Sequence, residues 1–147
     1  MFADLQEYTE LTNKKLSDIR DNKTSTLLIL RAVMGWTVVS KSGFNADKVK
    51  QVPTAYYDAE LSAYLYSPTP GSMPVMFNPL SSVSDAFLVL QRVYERGLGW
   101  TLVEPVGNYF SAYRRLDDTG ESWYADGDTI PLAICKAALV AVGAVDD

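Results

Sequence analysis

Two adjacent arginines, Arg114 and Arg115, follow the aromatic residues Tyr109, Phe110 and Tyr113. In an extended strand the side chains alternate, so Tyr109, Ser111, Tyr113 and Arg115 share one side while Phe110, Ala112 and Arg114 share the other. A ring for stacking beside a guanidinium fork for a phosphate is what a nucleotide requires. The competing structural reading is an edge strand with arginines facing solvent. A second candidate is Phe77-Asn78-Pro79-Leu80-Ser81-Ser82, directly before an amphipathic stretch. A loop ending at a helix N-terminus presents free backbone N–H groups and the positive end of the helix dipole, so Asn78, Ser81 and Ser82 are candidate anchors for an anion. Simple capping by Ser81 or Ser82 accounts for the same residues. Trp36 is a further stacking candidate, and Tyr56, Tyr57, Tyr64 and Tyr66 could line a ligand site or a subunit contact.

The chain has no histidine. That removes the commonest general base, the Ser-His-Asp and Cys-His arrangements, and most zinc sites. Cys135 is the only cysteine, which excludes a cysteine-based metal cluster and an intrachain disulfide. Neither of the usual glycine-rich phosphate loops is present. Carboxylates remain: Asp117, Asp118 and Glu121 cluster at an expected hairpin tip, with Asp126 and Asp128 following. A solvated turn and a helix cap explain them more simply than a hydrolytic centre. The expectation is a binding protein with no catalytic residue, metal or cofactor.

Composition narrows the partner. The 147 residues suit one domain, and 48% hydrophobic with 21% charged residues is the balance of a globular chain. A net charge of −5 with no basic stripe argues against polymeric nucleic acid, yet leaves room for a small anionic ligand held by one or two arginines. The apolar runs Leu27 to Val39 and Ile130 to Val145 are interrupted by Arg31 and Lys136, short of the ~18 uninterrupted apolar residues of a membrane span. No membrane partner is expected. With no apolar leader over Met1 to Arg20, a reducing cytoplasm is the expected compartment.

The elements that must position these residues follow from periodicity. Leu5, Tyr8, Thr12, Leu16 and Ile19 predict an amphipathic helix over 3–20, an N-terminal extension (1–22) to a domain spanning 23–147. Thr24 or Ser25 is the expected cap of a buried helix reaching Met34, which Gly35 ends before a strand from Trp36 to Ser40. Broken alternation over 55–67 suggests one or two strands, and Pro68 to Pro74 an irregular loop. Val83, Ala86, Phe87, Leu90, Val93 and Tyr94 form the expected core stripe of a helix stopped by Gly97. Strands are expected over Trp100–Val103, Asn108–Leu116 and Ser122–Ala125, with Asp117 to Gly120 turning the last pair. Asp128 is the expected cap of a final helix, Thr129 to Val142, with Pro131 in its first turn and apolar residues nearly all round. The order implies an α/β (α+β) fold, an antiparallel or mixed sheet sandwiched between helices.

Three of these segments carry a resemblance. Val33-Met34-Gly35-Trp36, the turn Pro79-Leu80-Ser81-Ser82-Val83 leading into Ala86-Phe87-Leu88-Val89-Leu90, and Ile130-Pro131-Leu132-Ala133-Ile134-Cys135-Lys136-Ala137-Ala138-Leu139 occur in the order found in the phage ABA-sandwich domain family, and Trp123-Tyr124-Ala125 is similar to its strand before the last helix. Ser82 stands where the family has Asp, and Leu80 where it has Ser. The resemblance covers roughly residues 24 to 143. It implies a phage protein acting in the host cytoplasm. It further implies, as for some members, an oligomeric sponge that sequesters a cyclic dinucleotide such as 3′,3′-cGAMP from CBASS-type defence, here as a homo-oligomer, dimer or tetramer. Under that implication Tyr113, Tyr109 or Trp36 would stack, Arg114 or Arg115 would hold phosphate, and Asn78, Ser81 and Ser82 would anchor polar groups. A protein-binding accessory factor that blocks a host protein is the alternative.

Overall fold

The structure, a computed structural model, describes residues 15–49, 53–115 and 122–145, the side chains of 100, 101, 114, 115 and 122–124 excepted. Most of the expected N-terminal helix lies outside the described residues. Its last turn is not α-helical: Leu16–Asp18 form a 3-10 turn and Ile19 leaves it extended. The cause is local. The Asp18 carboxylate accepts from the Lys15 N–H, and Ile19 is drawn into the core at 2% exposure.

Helix α1 (Lys23–Leu28) is capped by Asn22, whose side chain accepts from the Ser25 N–H at 2.8 Å. This corrects the expected cap at Thr24 or Ser25. Asn caps well, and the Ser25 hydroxyl is instead buried, accepting from the Arg20 N–H. The helix then widens into a π-helical turn, Ile29–Val33, closed by a Met34 N–H to Ile29 carbonyl bond of 3.0 Å. Gly35, at φ +70°, turns the chain out, and the Trp36 N–H returns to the Leu30 carbonyl. Leu28, Ile29, Leu30 and Val33 are thereby fully buried.

Among the described residues seven strands divide into two sheets, both within the expected α+β class. In the mixed sheet, β1 (Thr37–Val39) runs parallel to β2 (Thr54–Asp58), which pairs antiparallel with β3 (Ala63–Tyr66), and β3 with β4 (Val75–Phe77). Thus the ambiguous stretch over 55–67 is a hairpin, with Leu61 exposed in its turn. The second sheet, β5 (Trp100–Val106), β6 (Tyr109–Arg115) and β7 (Ser122–Gly127), is antiparallel throughout.

Two longer helices join the layers. Ser82 caps α2 (Val83–Glu95), accepting from the Asp85 N–H. The expected core stripe of α2 is only partly right. Ala86, Val89 and Val93 are buried, while Val83, Phe87 and Tyr94 are 43%, 55% and 65% exposed. The buried side keeps Ala86 and Val93 of the expected stripe and adds Val89, and Val89 and Val93 join the main core with the alanine-rich neighbouring helix. That neighbour, α3 (Ile130–Ala141), is capped by Thr129, not by the expected Asp128, through a Thr129 Oγ1 bond to the Leu132 N–H. It is the central helix. Ala133 and Ala137 meet Ala112 and Ala125 of the second sheet, and Cys135, Ala138 and Leu139 join the main core.

Candidate functional site

Trp36 stands where the π-turn enters β1. Its ring lies 4.5 Å from that of Tyr66 and 4.8 Å from that of Phe77, centroid to centroid, and it is nearly buried. The edges of Trp36 and Tyr66 border a cleft of about 240 Å³ whose far wall is α2, through Leu88, Gln91 and Arg92. The wall is held by a long-range clamp: Arg96 Nη1 donates to the carbonyls of Ala32 at 2.8 Å and Val33 at 3.1 Å. This ties the end of α2 to the π-turn from which Trp36 emerges.

Arg92 supplies the cleft's cation. Its guanidinium reaches over the Gly35 corner, since a Cβ on Gly35 would lie 3.8 Å from Arg92 Nη2. Nη1 is 3.7 Å from the Glu95 carboxylate, a long contact. Nε is enclosed and has no acceptor among the described residues. A shielded guanidinium N–H is a strong donor that costs free energy when unmet. Burial, with a smaller contribution from the Asp85 charge, pushes the Tyr66 phenol up from its ordinary pKa, so it stays a neutral hydroxyl. The cleft thus offers ring edges, an amide and a guanidinium, with the Glu95 carboxylate at its border beside Arg92.

The other expected site residues lie elsewhere. The alternation foreseen in β6 is present: Ala112 packs under α3, with Phe110 against the same cluster, while Tyr109 and Tyr113 are exposed. Tyr113 donates its hydroxyl to Glu104 Oε1 at 2.6 Å, and that bond, first among several causes, raises its pKa. Tyr109 borders an open depression of about 360 Å³ with Asp126, Asp128 and Lys136, where two carboxylates outweigh one ammonium. Arg114 pairs in register with Thr101 and Trp123, and Arg115 with Trp100 and Ser122; the side chains of both arginines lie outside the described ones. The carboxylates Asp117, Asp118 and Glu121 also lie outside the described residues.

The turn before α2 is engaged with itself. The Asn78 N–H donates to Asp85 Oδ2 at 2.8 Å, and the Asn78 carbonyl accepts from the N–H groups of Ser81 and Ser82. Asp85 therefore places a carboxylate at the helix start, where an incoming anion would meet it. Asn78, Ser81 and Ser82 do not border the Trp36 cleft. The tyrosine group also divides. Tyr66 joins Trp36, Tyr56 meets Phe44 at a tilt of 48°, and Tyr57 meets Tyr64 at 5.1 Å. Of the expected residues whose side chains are described, the cleft holds Trp36 and Tyr66. Gln91 and Arg92 were missed because they sit on the polar side of α2, which reads as solvent-facing; no local signal shows that Trp36 lies opposite.

A family comparison places the phage ABA sandwich domain on residues 27–139, more than half of the chain. The chain belongs to the phage ABA sandwich domain family. No curated protein and no solved structure matches it. In this ABA sandwich domain the recurring segments lock one another. The Cys135 thiol of the last helix donates to the Pro79 carbonyl at 3.2 Å, and Val33, at the start of the Val33 to Trp36 segment, accepts from Arg96. All the residues bordering the Trp36 cleft fall within the matched span of the ABA sandwich domain. No helix among the described residues is long and apolar enough to cross a membrane.

Proposed function

We propose that this phage protein binds a cyclic dinucleotide of the 3′,3′-cGAMP kind in the Trp36 cleft and sequesters it in the host cytoplasm without cleaving it. The observation that carries the reading is the enclosed Arg92 Nε, a donor without an acceptor among the described residues, in a cleft bordered by Trp36 and Tyr66. Aromatic edges and a guanidinium are complementary to a base and the phosphate next to it. The cyclic dinucleotide itself comes from the family resemblance. At about 240 Å³ the cleft is below the usual small-molecule range of roughly 300–1,000 Å³, so it suits one half of such a ligand. A ligand with two similar halves then fits two copies of the chain related by a two-fold axis.

The homo-oligomer this requires has an available surface. Val83, Phe87 and Tyr94 recur along one exposed side of α2, and the half-exposed Leu88 of the same helix borders the cleft. Such apolar exposure favours association. The test is to incubate the protein with 3′,3′-cGAMP, filter, and assay the filtrate before and after heating. The ligand should disappear from the filtrate and return intact on heating. Arg92→Met should release it and Phe87→Glu should lower the sedimentation coefficient. Ligand that stays free overturns the reading, and a fragmented ligand means an enzyme.

The exposed α2 stripe also favours the second reading, a phage accessory factor that blocks a host protein. In that case cyclic dinucleotides leave the melting temperature unchanged while a defined host protein co-purifies, and Phe87→Glu abolishes its capture.

A further inference from the structure

A second, smaller cleft, of about 140 Å³, shares no bordering residue with the Trp36 cleft. Lys23 and Arg31 border it together with Ser40, Tyr57 and Tyr64. Lys23, Leu27 and Arg31 recur at intervals of four along α1 and the π-turn, so they rise on one side of the helix. Leu27 between them is buried, which leaves the two cations as the polar groups of that side. Among the described residues no carboxylate borders the cleft, in a chain whose net charge is −5.

The ammonium of Lys23 is held by a ring. Its Nζ lies 4.3 Å from the Tyr57 centroid, and among the described residues it has no ion pair. Asp58, next to Tyr57 in β2, points to the other side of the sheet, where Lys41 binds it at 2.9 Å and the Glu60 and Leu61 N–H groups donate to it. That carboxylate is already neutralised. A cation held by the π-face of a tyrosine keeps its charge available for an anion.

We infer that this cleft is a binding site for the phosphate group of a small molecule, distinct from the Trp36 cleft. A base is disfavoured there because the Tyr57 face is covered by Lys23 and Tyr64 is only 3% exposed. The volume equals that of about five waters in the liquid, room for a phosphate and little more. Lys23 supplies a point charge and Arg31 a planar fork, the two complementary ways of holding phosphate oxygens.

Amide NMR of the full chain, titrated with sodium phosphate at ionic strength held constant by sodium chloride, tests this. Saturable shifts are expected at Lys23, Arg31, Ser40 and Tyr57, with Trp36 and Gln91 unmoved. Lys23→Gln and Arg31→Gln should each weaken phosphate by about tenfold or more, the loss of one charge-assisted contact. Lys23 is exposed, so Lys23→Gln decides the matter should Arg31→Gln fail to fold. Shifts that grow without saturating, shifts at Trp36 instead, or variants that titrate like the parent overturn the assignment. Inorganic phosphate has no ring, so this result is independent of whether a cyclic dinucleotide occupies the Trp36 cleft.

Discussion

Replacing Gly127 with alanine should loosen the joint between the second sheet and α3. A Cβ built there would lie 2.5 Å from Ala133 N and 3.0 Å from Ala133 Cα and the Leu132 carbonyl carbon. All three are backbone atoms, so no side chain can swing aside. Non-bonded heavy atoms settle at about 3.5–4.0 Å, so the first turn of α3 must retreat by roughly 1 Å. It has little freedom to do so, because α3 is packed on both sides, against Ala112 and Ala125 on one and within the main core on the other. Overpacking of this kind costs about 1–3 kcal/mol, and backbone contacts put it at the upper end. For a chain of this size, 3 kcal/mol lowers Tm by roughly 6–12 °C. The control is Gly107→Ala in the β5–β6 turn, at φ +62° with nothing within 4 Å of the added atom. That variant pays only the left-handed backbone cost, about 1–2 kcal/mol. Thermal unfolding of both variants by circular dichroism gives the comparison. A Gly127→Ala protein melting with the parent, or above Gly107→Ala, would refute the packing argument.

Two further outcomes follow from buried and paired groups. Burial pushes the Cys135 thiol far above its ordinary pKa, so a thiol reagent should label the folded protein only at the rate of its unfolding. Prompt stoichiometric labelling in native buffer would contradict the placement of α3. The hydrogen bond to Lys41, followed by that from the Leu61 N–H, holds the Asp58 carboxyl below its usual range, while Asp58 raises Lys41. A depressed carboxylate stabilises the fold above its unfolded pKa and loses that contribution as pH falls through the folded value; a raised lysine loses its contribution as pH rises through its own. Parent and Lys41→Met should therefore differ most in denaturation midpoint near neutrality and converge in acid, and a gap that widens on acidification would reverse the sign.

Much of this architecture was legible because it is decided locally. Gly35 and Gly97 stand at left-handed positions, Pro131 lies in the first turn of α3, and the alternation in β6 separates Ala112 from Tyr113. The caps were harder. Asn22, Thr24 and Ser25 are all competent, and Asn22 takes the role because Ile19 and Ser25 are both pulled inward. The candidate sites were read least well. Tyr109 and the Asn78 to Ser82 turn have the right chemistry, yet one borders an acidic depression and the other spends its donors on Asp85 and its own turn.

The order of residues by itself determined the family, the α+β class, the lack of imidazole and the central place of an apolar last helix, since each depends on composition or on contacts within a few positions. Tertiary structure alone decided which stripe of α2 is buried, and with it that Arg92 faces Trp36 across a cleft and that Lys23 and Arg31 converge beside Tyr57. Both sides of α2 are apolar enough to bury; Val89 and Val93 share the main core with Cys135, Ala138 and Leu139 of α3, and that choice is made only when the two helices meet.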